Sequence, residues 1–236
     1  MDRSAGAFVS DKVLGIIAVI AIAAGAWWAS SSAAEKAVKL PAPAFETAVA
    51  GTQETAVFAG GCFWGVQAVF QHTAGVLNAV SGYAGGAKET ANYTMVTSGQ
   101  TGHAEAVQVT YDPRQVSYGK LLQVFFAVAH DPTQLNRQGP DHGTQYRSAL
   151  FLQGAQKEVA ERYIAQLEAA HLFGSKIVTQ LSPLEGFYPA EDYHQDYAAR
   201  NPNAPYIMTF DRPKVASLQR LMPDVYRAQP VLVARK

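Results

Sequence analysis

The stretch TAVFAGGCFWGVQAVFQ, Thr55 to Gln71, changes its periodicity part-way along. Thr55 to Ala59 is a short apolar run closed by Gly60 and Gly61, the pattern of a buried strand feeding a sharp turn. Beyond the turn Phe63, Val66 and Phe70 recur at helical spacing, so Cys62 stands at or near a helix N-terminus. A buried strand, a glycine turn and an amphipathic helix in direct succession open an α/β fold.

The rest of the chain continues that alternation. Glu105 to Tyr111 predicts a half-buried strand, with Val107, Val109 and Tyr111 on the same side as Glu105, so Glu105 begins on the inward side. Ser117 caps a predicted helix through LLQVFFAVAH that stops at Asp131 and Pro132, and a long polar loop with Gly139, Pro140 and Gly143 follows. Ser148 to Gln153 and Lys176 to Leu181 read as strands and Ala155 to Ala170 as an amphipathic helix. A last helix is predicted over Ala190 to Arg200, with His194 and Tyr197 three residues apart on one face, and no structure is predicted after Met222. The fold class is α/β (α+β), a two-layer sandwich with a mixed sheet.

Composition narrows the function. The chain has 236 residues, 48% hydrophobic and 16% charged, which is the balance of a globular protein. Its formal charge is +0 with no basic runs, so no nucleic acid partner is expected. The one cysteine excludes an internal disulfide and a multi-cysteine zinc site, and HExxH is absent, so no metal site is expected. Val13 to Ala34 carries no charged side chain and includes LGIIAVIAIAAGAWWA. That run lies between the length of a signal-peptide core and that of a membrane span, and both readings stay open. The small residues at 30–34 suit cleavage, whereas Trp27 and Trp28 suit the interface of an anchor across 13–29. The expected organisation is a signal peptide or anchor plus linker at 1–43 and one catalytic domain at 44–236, exported to the periplasm or held on the membrane outside the cytoplasm.

Cys62 is the residue on which the functional reading turns. A thiolate at a helix N-terminus is a stabilised nucleophile, and GGCFWG provides that setting. Taken alone, a single cysteine reads better as a buried structural residue. GCFWG, however, is the signature of the peptide methionine sulfoxide reductase A family, and the chain resembles that family at four further places in order. They are SGYAGG at Ser81 to Gly86, GHAEAV at Gly102 to Val107, DHGTQYRS at Asp141 to Ser148 and FYPAEDYHQDY at Phe187 to Tyr197. The resemblance spans about Thr55 to Met208.

What the resemblance implies is a ferredoxin-like core and reduction of the S-epimer of methionine sulfoxide, free or in oxidised proteins. Cys62 is similar to the thiolate that attacks the sulfoxide sulfur and Glu105 to the proton donor, whose carboxyl must be kept protonated by burial. Tyr83 and Tyr146 match phenols that hydrogen-bond the sulfoxide oxygen, and Asp141 a carboxylate of the same polar network. Phe63 and Trp64 look like walls for the substrate's methyl group, and His194 and Tyr197 like residues beside the pocket. Many relatives carry resolving cysteines, and this chain has none. The first product at Cys62 is then a sulfenic acid that an external thiol must reduce, whether a thioredoxin-like protein, glutaredoxin with glutathione, or dithiothreitol in vitro; no bound cofactor is expected. Two other classes compete: a cysteine acyl-transferase or hydrolase, which needs a histidine base beside the thiol, and a non-catalytic peptide-binding module.

Overall fold

A computed structural model of the chain describes residues 37–48 and 51–233. The segment 13–34, read above as a signal or anchor, lies outside the described residues. Among these no helix is long and apolar enough to cross a membrane.

The expected opening forms as read. Strand β1 (Glu54–Gly60) enters the turn at Gly61, and helix α1 (Phe63–Gln71) leaves it. The chain continues through β2 (Val76–Ala84), the short α2 (Tyr93–Val96), β3 (Ala104–Tyr111) and α3 (Tyr118–Val124). After α3 come the two-residue strands β4 (Arg137–Gln138) and β5 (Asp141–His142), then β6 (Ser148–Leu152), α4 (Gln156–Ala169), β7 (Gln180–Pro183), β8 (Phe187–Pro189), α5 (Tyr197–Arg200) and α6 (Arg212–Leu221). Ser117 caps α3, accepting the Lys120 N–H at 3.0 Å. The helix then widens into a π turn over Phe125–Ala129 before His130.

The sheet runs in the order β7-β6-β1-β3-β2-β8, antiparallel throughout except for the parallel pair β6 and β7. Its four central strands, β6-β1-β3-β2, with α1 joining β1 to β2 and α3 lying between β3 and β6, have the split βαβ connectivity of the ferredoxin-like core. Period-two alternation separates the faces. Phe58, Tyr83, Val107, Val109 and Leu150 join α1, α3 and α4 in the main core, while Val57, Ala59, Ala84, Ala104, Ala106, Ala149 and Phe151 form a thinner cluster. Phe58 lies 4.6 Å from Phe70 and 5.3 Å from Phe125 by ring centroids, tying the strand before the turn to the helices after it. Burying a ring of this size contributes about 2–3 kcal/mol.

Two readings are corrected. The helix predicted over Ala190 to Arg200 is broken into a 3₁₀ turn, Asp192–His194, and the short α5, because Asp196 has a left-handed φ of 56°. That conformation is held from α1, where Gln67 Oε1 accepts the Asp196 N–H at 3.0 Å and Gln71 Nε2 donates to Asp196 Oδ1 at 2.7 Å. The strand predicted over Lys176 to Leu181 is displaced to Gln180–Pro183, where it gains β6 as a partner. The region after Met222, read as featureless, is irregular but tied down: Tyr226 bridges Thr73, and Val231 N–H reaches Gln71 O at 3.0 Å. The stretch read as linker also touches the fold, with Leu40 buried and Gln123 Nε2 and Tyr163 OH donating to Leu40 O and Pro41 O.

Candidate active site

Gly61 has φ +89°, and a Cβ there would meet the Gln138 side chain, so glycine alone suits the turn. The turn delivers Cys62 as the N-cap of α1, half-buried and making no capping hydrogen bond through its side chain. The thiol acidity expected from the helix N-terminus is outweighed. Burial pushes the Cys62 thiol well above its ordinary value, the charges of Glu105 and Asp211 push the same way, and the Trp64 N–H works against them. At neutral pH the resting group is a thiol.

Glu105 is 3% exposed, and its Oε2 accepts the N–H of Phe63, the residue after Cys62, at 3.0 Å. Burial drives its carboxyl up to about 8, with Asp141 adding to the effect and the Phe63 amide opposing it. A carboxylic acid that keeps its proton near pH 7 therefore lies against the first turn of α1. A carboxyl in that state can give up a proton near neutral pH.

Tyr83 faces Glu105 in the β2–β3 register, but it is fully buried and its hydroxyl donates to Glu191 Oε2 at 2.9 Å. Glu191 Oε1 also accepts the Tyr93 N–H at 2.9 Å. Burial works against the Glu191 charge, but these bonds hold its carboxyl below the usual range. Tyr93, which no sequence motif singled out, starts α2 behind the N-cap Asn92, and its phenol is raised by burial and by the charges of Glu105 and Cys62. Tyr146, in the 3₁₀ turn Thr144–Tyr146, is raised by burial and then by Glu105, Asp141 and Cys62. Among the described residues neither hydroxyl has a hydrogen-bond partner, so Tyr93 and Tyr146, not Tyr83, have phenols free for a ligand.

The aromatic wall centres on Trp64. Tyr197 stacks on it at 3.8 Å and 12°, Tyr206 meets it edge-on at 6.0 Å, and its Nε1 donates to His194 Nδ1 at 3.2 Å. Phe63 is 1% exposed, with its ring 5.0 Å from His194 and 6.0 Å from Tyr83, so it forms the floor beneath this wall. Burial holds the His194 imidazole below its usual range despite Glu191, which leaves it neutral. Asp141, half-buried and raised by burial, accepts a short hydrogen bond from Tyr206 OH. The nine residues expected from the sequence thus gather around the β1–α1 turn, although His194 and Tyr197 arrive on two short helices.

The model of the family described as peptide methionine sulfoxide reductase matches residues 54–224, which includes every strand and all the residues above. The chain belongs to this family. It is 60% identical over 181 residues to the peptide methionine sulfoxide reductase MsrA 2 of Mesorhizobium japonicum, covering 76% of this chain and 93% of that one. It is 53% identical over 176 residues to the MsrA of Deinococcus radiodurans, at 74% and 85% coverage. Among solved structures it is similar to reduced Mxr1 from Saccharomyces cerevisiae, with a TM-score of 0.60, 34% identity and coverage of 70% and 94%. A second is methionine sulfoxide reductase A of Corynebacterium diphtheriae, at 0.56, 36%, 75% and 90%.

The hydrolase alternative loses its geometric basis within this reductase fold. Among the described residues no histidine is hydrogen-bonded to Cys62. His103 instead holds the loop after β2, accepting from Gly86 N–H and facing Ala87 O, while His194 is engaged by Trp64. Besides Tyr93, sequence reading passed over Glu191, Tyr206 and Asp211. Glu191 sits inside the quoted FYPAEDYHQDY, where one acidic residue among three carries no local signal of the Tyr83 and Tyr93 partners it finds in space.

Proposed function

We propose that the chain is a peptide-methionine (S)-S-oxide reductase in which Cys62 is the nucleophile and Glu105 the acid. The observation that carries this reading is Glu105 itself, a carboxyl raised to about 8 and bonded to the amide that follows Cys62. The S–O bond of a sulfoxide resists cleavage until its oxygen is protonated, and a buried neutral acid beside a thiol answers that need. The Cys62 sulfur attacks the sulfoxide sulfur as Glu105 protonates the oxygen, with Tyr93 and Tyr146 donating to that oxygen as charge develops on it. Trp64, backed by the stacked Tyr197 ring, faces the methylthio group, and Phe63 closes the floor. Methionine leaves as the thioether, the oxygen passes to Cys62 as a sulfenic acid, and the thiol proton restores Glu105.

With no second cysteine, the sulfenic acid condenses with an external thiol, releasing water and leaving a mixed disulfide that a further thiol reduces to Cys62. The reductant is thus an outside thiol, small or protein-borne. The apolar segment at 13–29, followed by small residues at 30–34, supports an exported enzyme that is either cleaved or anchored, and outside the cytoplasm the reductant must be exported as well. An intact mass of the mature protein separates cleavage from anchoring.

The decisive test is dithiothreitol-driven reduction of each methionine sulfoxide epimer by the natural chain and by Cys62→Ser. Activity on the S-epimer alone that disappears in the variant is expected. Equal activity in both proteins overturns the assignment.

A further inference from the structure

Asp211 and Lys214 form a buried charged pair that the reaction above leaves unused. Asp211 ends the π turn Ile207–Asp211 and is 1% exposed; Lys214, one turn into α6, is 7% exposed, with its Nζ 3.8 Å from Asp211 Oδ1. Neither Asp211 carboxylate oxygen has a hydrogen-bond partner among the described residues. A buried carboxylate left without hydrogen bonds is costly and calls for a role.

Its position suggests one. Gly65 lies in the first turn of α1, three residues after Cys62, and a Cβ there would meet Asp211 Cγ at 2.9 Å and Lys214 Nζ at 3.2 Å. The glycine gap thus lets a carboxylate and an ammonium reach the helix end that carries the thiol. The π turn widens the backbone so that Asp211 points inward at this place, a frequent use of such turns. We infer that Asp211, backed by Lys214, is a positioning residue that governs when the Cys62 thiol gives up its proton, by setting a negative charge against the glycine gap beneath it. The inference rests on Cys62 being the nucleophile.

The charged and titratable groups facing Cys62 come from five directions. They are Glu105 on β3, Asp141 on β5, Tyr146 after it, Tyr93 on α2, and Tyr206 with the Asp211–Lys214 pair on the last helical segment. Of the carboxylates other than Glu105, Asp211 acts more strongly on the thiol than Asp141 does. Burial brings Asp211 up to about 6, with Lys214 opposing and Asp141 adding to the effect. Near neutral pH Asp211 is therefore charged and suppresses the thiolate. In mildly acidic conditions it is neutral and that suppression is lifted.

The test is alkylation of Cys62 by iodoacetamide from pH 5 to 10, which reads thiol ionisation without requiring sulfoxide reduction. The natural chain should show a coupled titration with an inflection near pH 6, separate from the one that Glu105 produces near 8. D211N should lose the lower inflection and be alkylated about threefold faster or more at pH 7, because the carboxylate charge that disfavours the thiolate is gone. Identical profiles in the natural chain and D211N overturn the inference, as does a natural profile lacking the lower inflection; the latter needs no variant to fold. A failure of the nucleophile assignment appears separately, as sulfoxide reduction that survives Cys62→Ser.

Discussion

Replacing Glu105 by Gln should move activity and stability in opposite directions. The glutamine amide oxygen can still accept the Phe63 N–H that Oε2 accepts at 3.0 Å, so the β1–α1 turn keeps its bond. What is lost is an acidic proton, and removing a general acid slows the chemical step by about a hundredfold to ten-thousandfold. Stability runs the other way. Glu105 is raised in the folded chain from 4.5 to about 8, so on going from low to high pH the unfolded chain ionises first while the folded one holds its proton. Folding stability linked to this group is complete below pH 4.5, declines through the window from 4.5 to 8, and is level again above it. Each pH unit inside that window costs about 1.4 kcal/mol, so the natural chain gives up on the order of 5 kcal/mol by pH 9, and glutamine gives up none of it. Urea unfolding of both proteins at pH 5, 7 and 9, beside single-turnover reduction of methionine (S)-sulfoxide, measures both effects. A variant that reduces substrate within threefold of the natural rate, or a stability difference that does not widen with pH, refutes the reasoning.

Three further outcomes follow from the site. Tyr93→Phe should slow reduction about tenfold or more by removing a donor to the sulfoxide oxygen, whereas Tyr83→Phe should cost about 1–3 kcal/mol of stability by stripping Glu191 of a partner, with a smaller effect on rate; stopped-flow turnover and thermal unfolding separate the two. Gly61→Ala should destabilise the fold by about 1–3 kcal/mol, because φ +89° suits glycine and the Gln138 side chain fills the space, and a melting curve reads it. One turnover without thiol should leave Cys62 heavier by one oxygen and reactive toward a sulfenic acid probe in mass spectrometry, and an unmodified Cys62 after product release would count against the proposed intermediate.

Local patterns carried the β1–α1 turn, β3, α3 and α4, because in each the apolar residues repeat with the period of the element that forms. They failed where partners far along the chain decide the conformation. Asp196 breaks the apparent helix over 190–200 through bonds to Gln67 and Gln71, and nothing near residue 196 announces them. Strand β2 went unread because VLNAVSGYA mixes Asn, Ser and Gly among its apolar residues; Gly82 is there because Phe187 and the Tyr188 carbonyl come close. Helix α6, RPKVASLQRL, is too polar for its buried side to stand out. At the site, residues within family motifs were legible by resemblance, but the motif points to Tyr83, whose hydroxyl is bonded to Glu191, and passes over Tyr93. Which phenol is free depends on Glu191, a residue about a hundred positions downstream of both.

The irregular end of the chain bears on how the protein can be shortened or tagged. From Tyr226 to Val233 it runs back along the end of α1, bonding to His72, Thr73 and Gln71, and the Val233 N–H finishes on Asp196 Oδ1, next to the tyrosine stacked on Trp64. Trimming these residues would release one of the bonds that hold Asp196 beside those from Gln67 and Gln71, and an affinity handle fused after Lys236 would tug on a strap that leads to the aromatic wall. Handles and immobilising surfaces therefore belong at the other end of the chain, upstream of Val38, whose N–H is already bonded to Ala127 O in the π turn after α3.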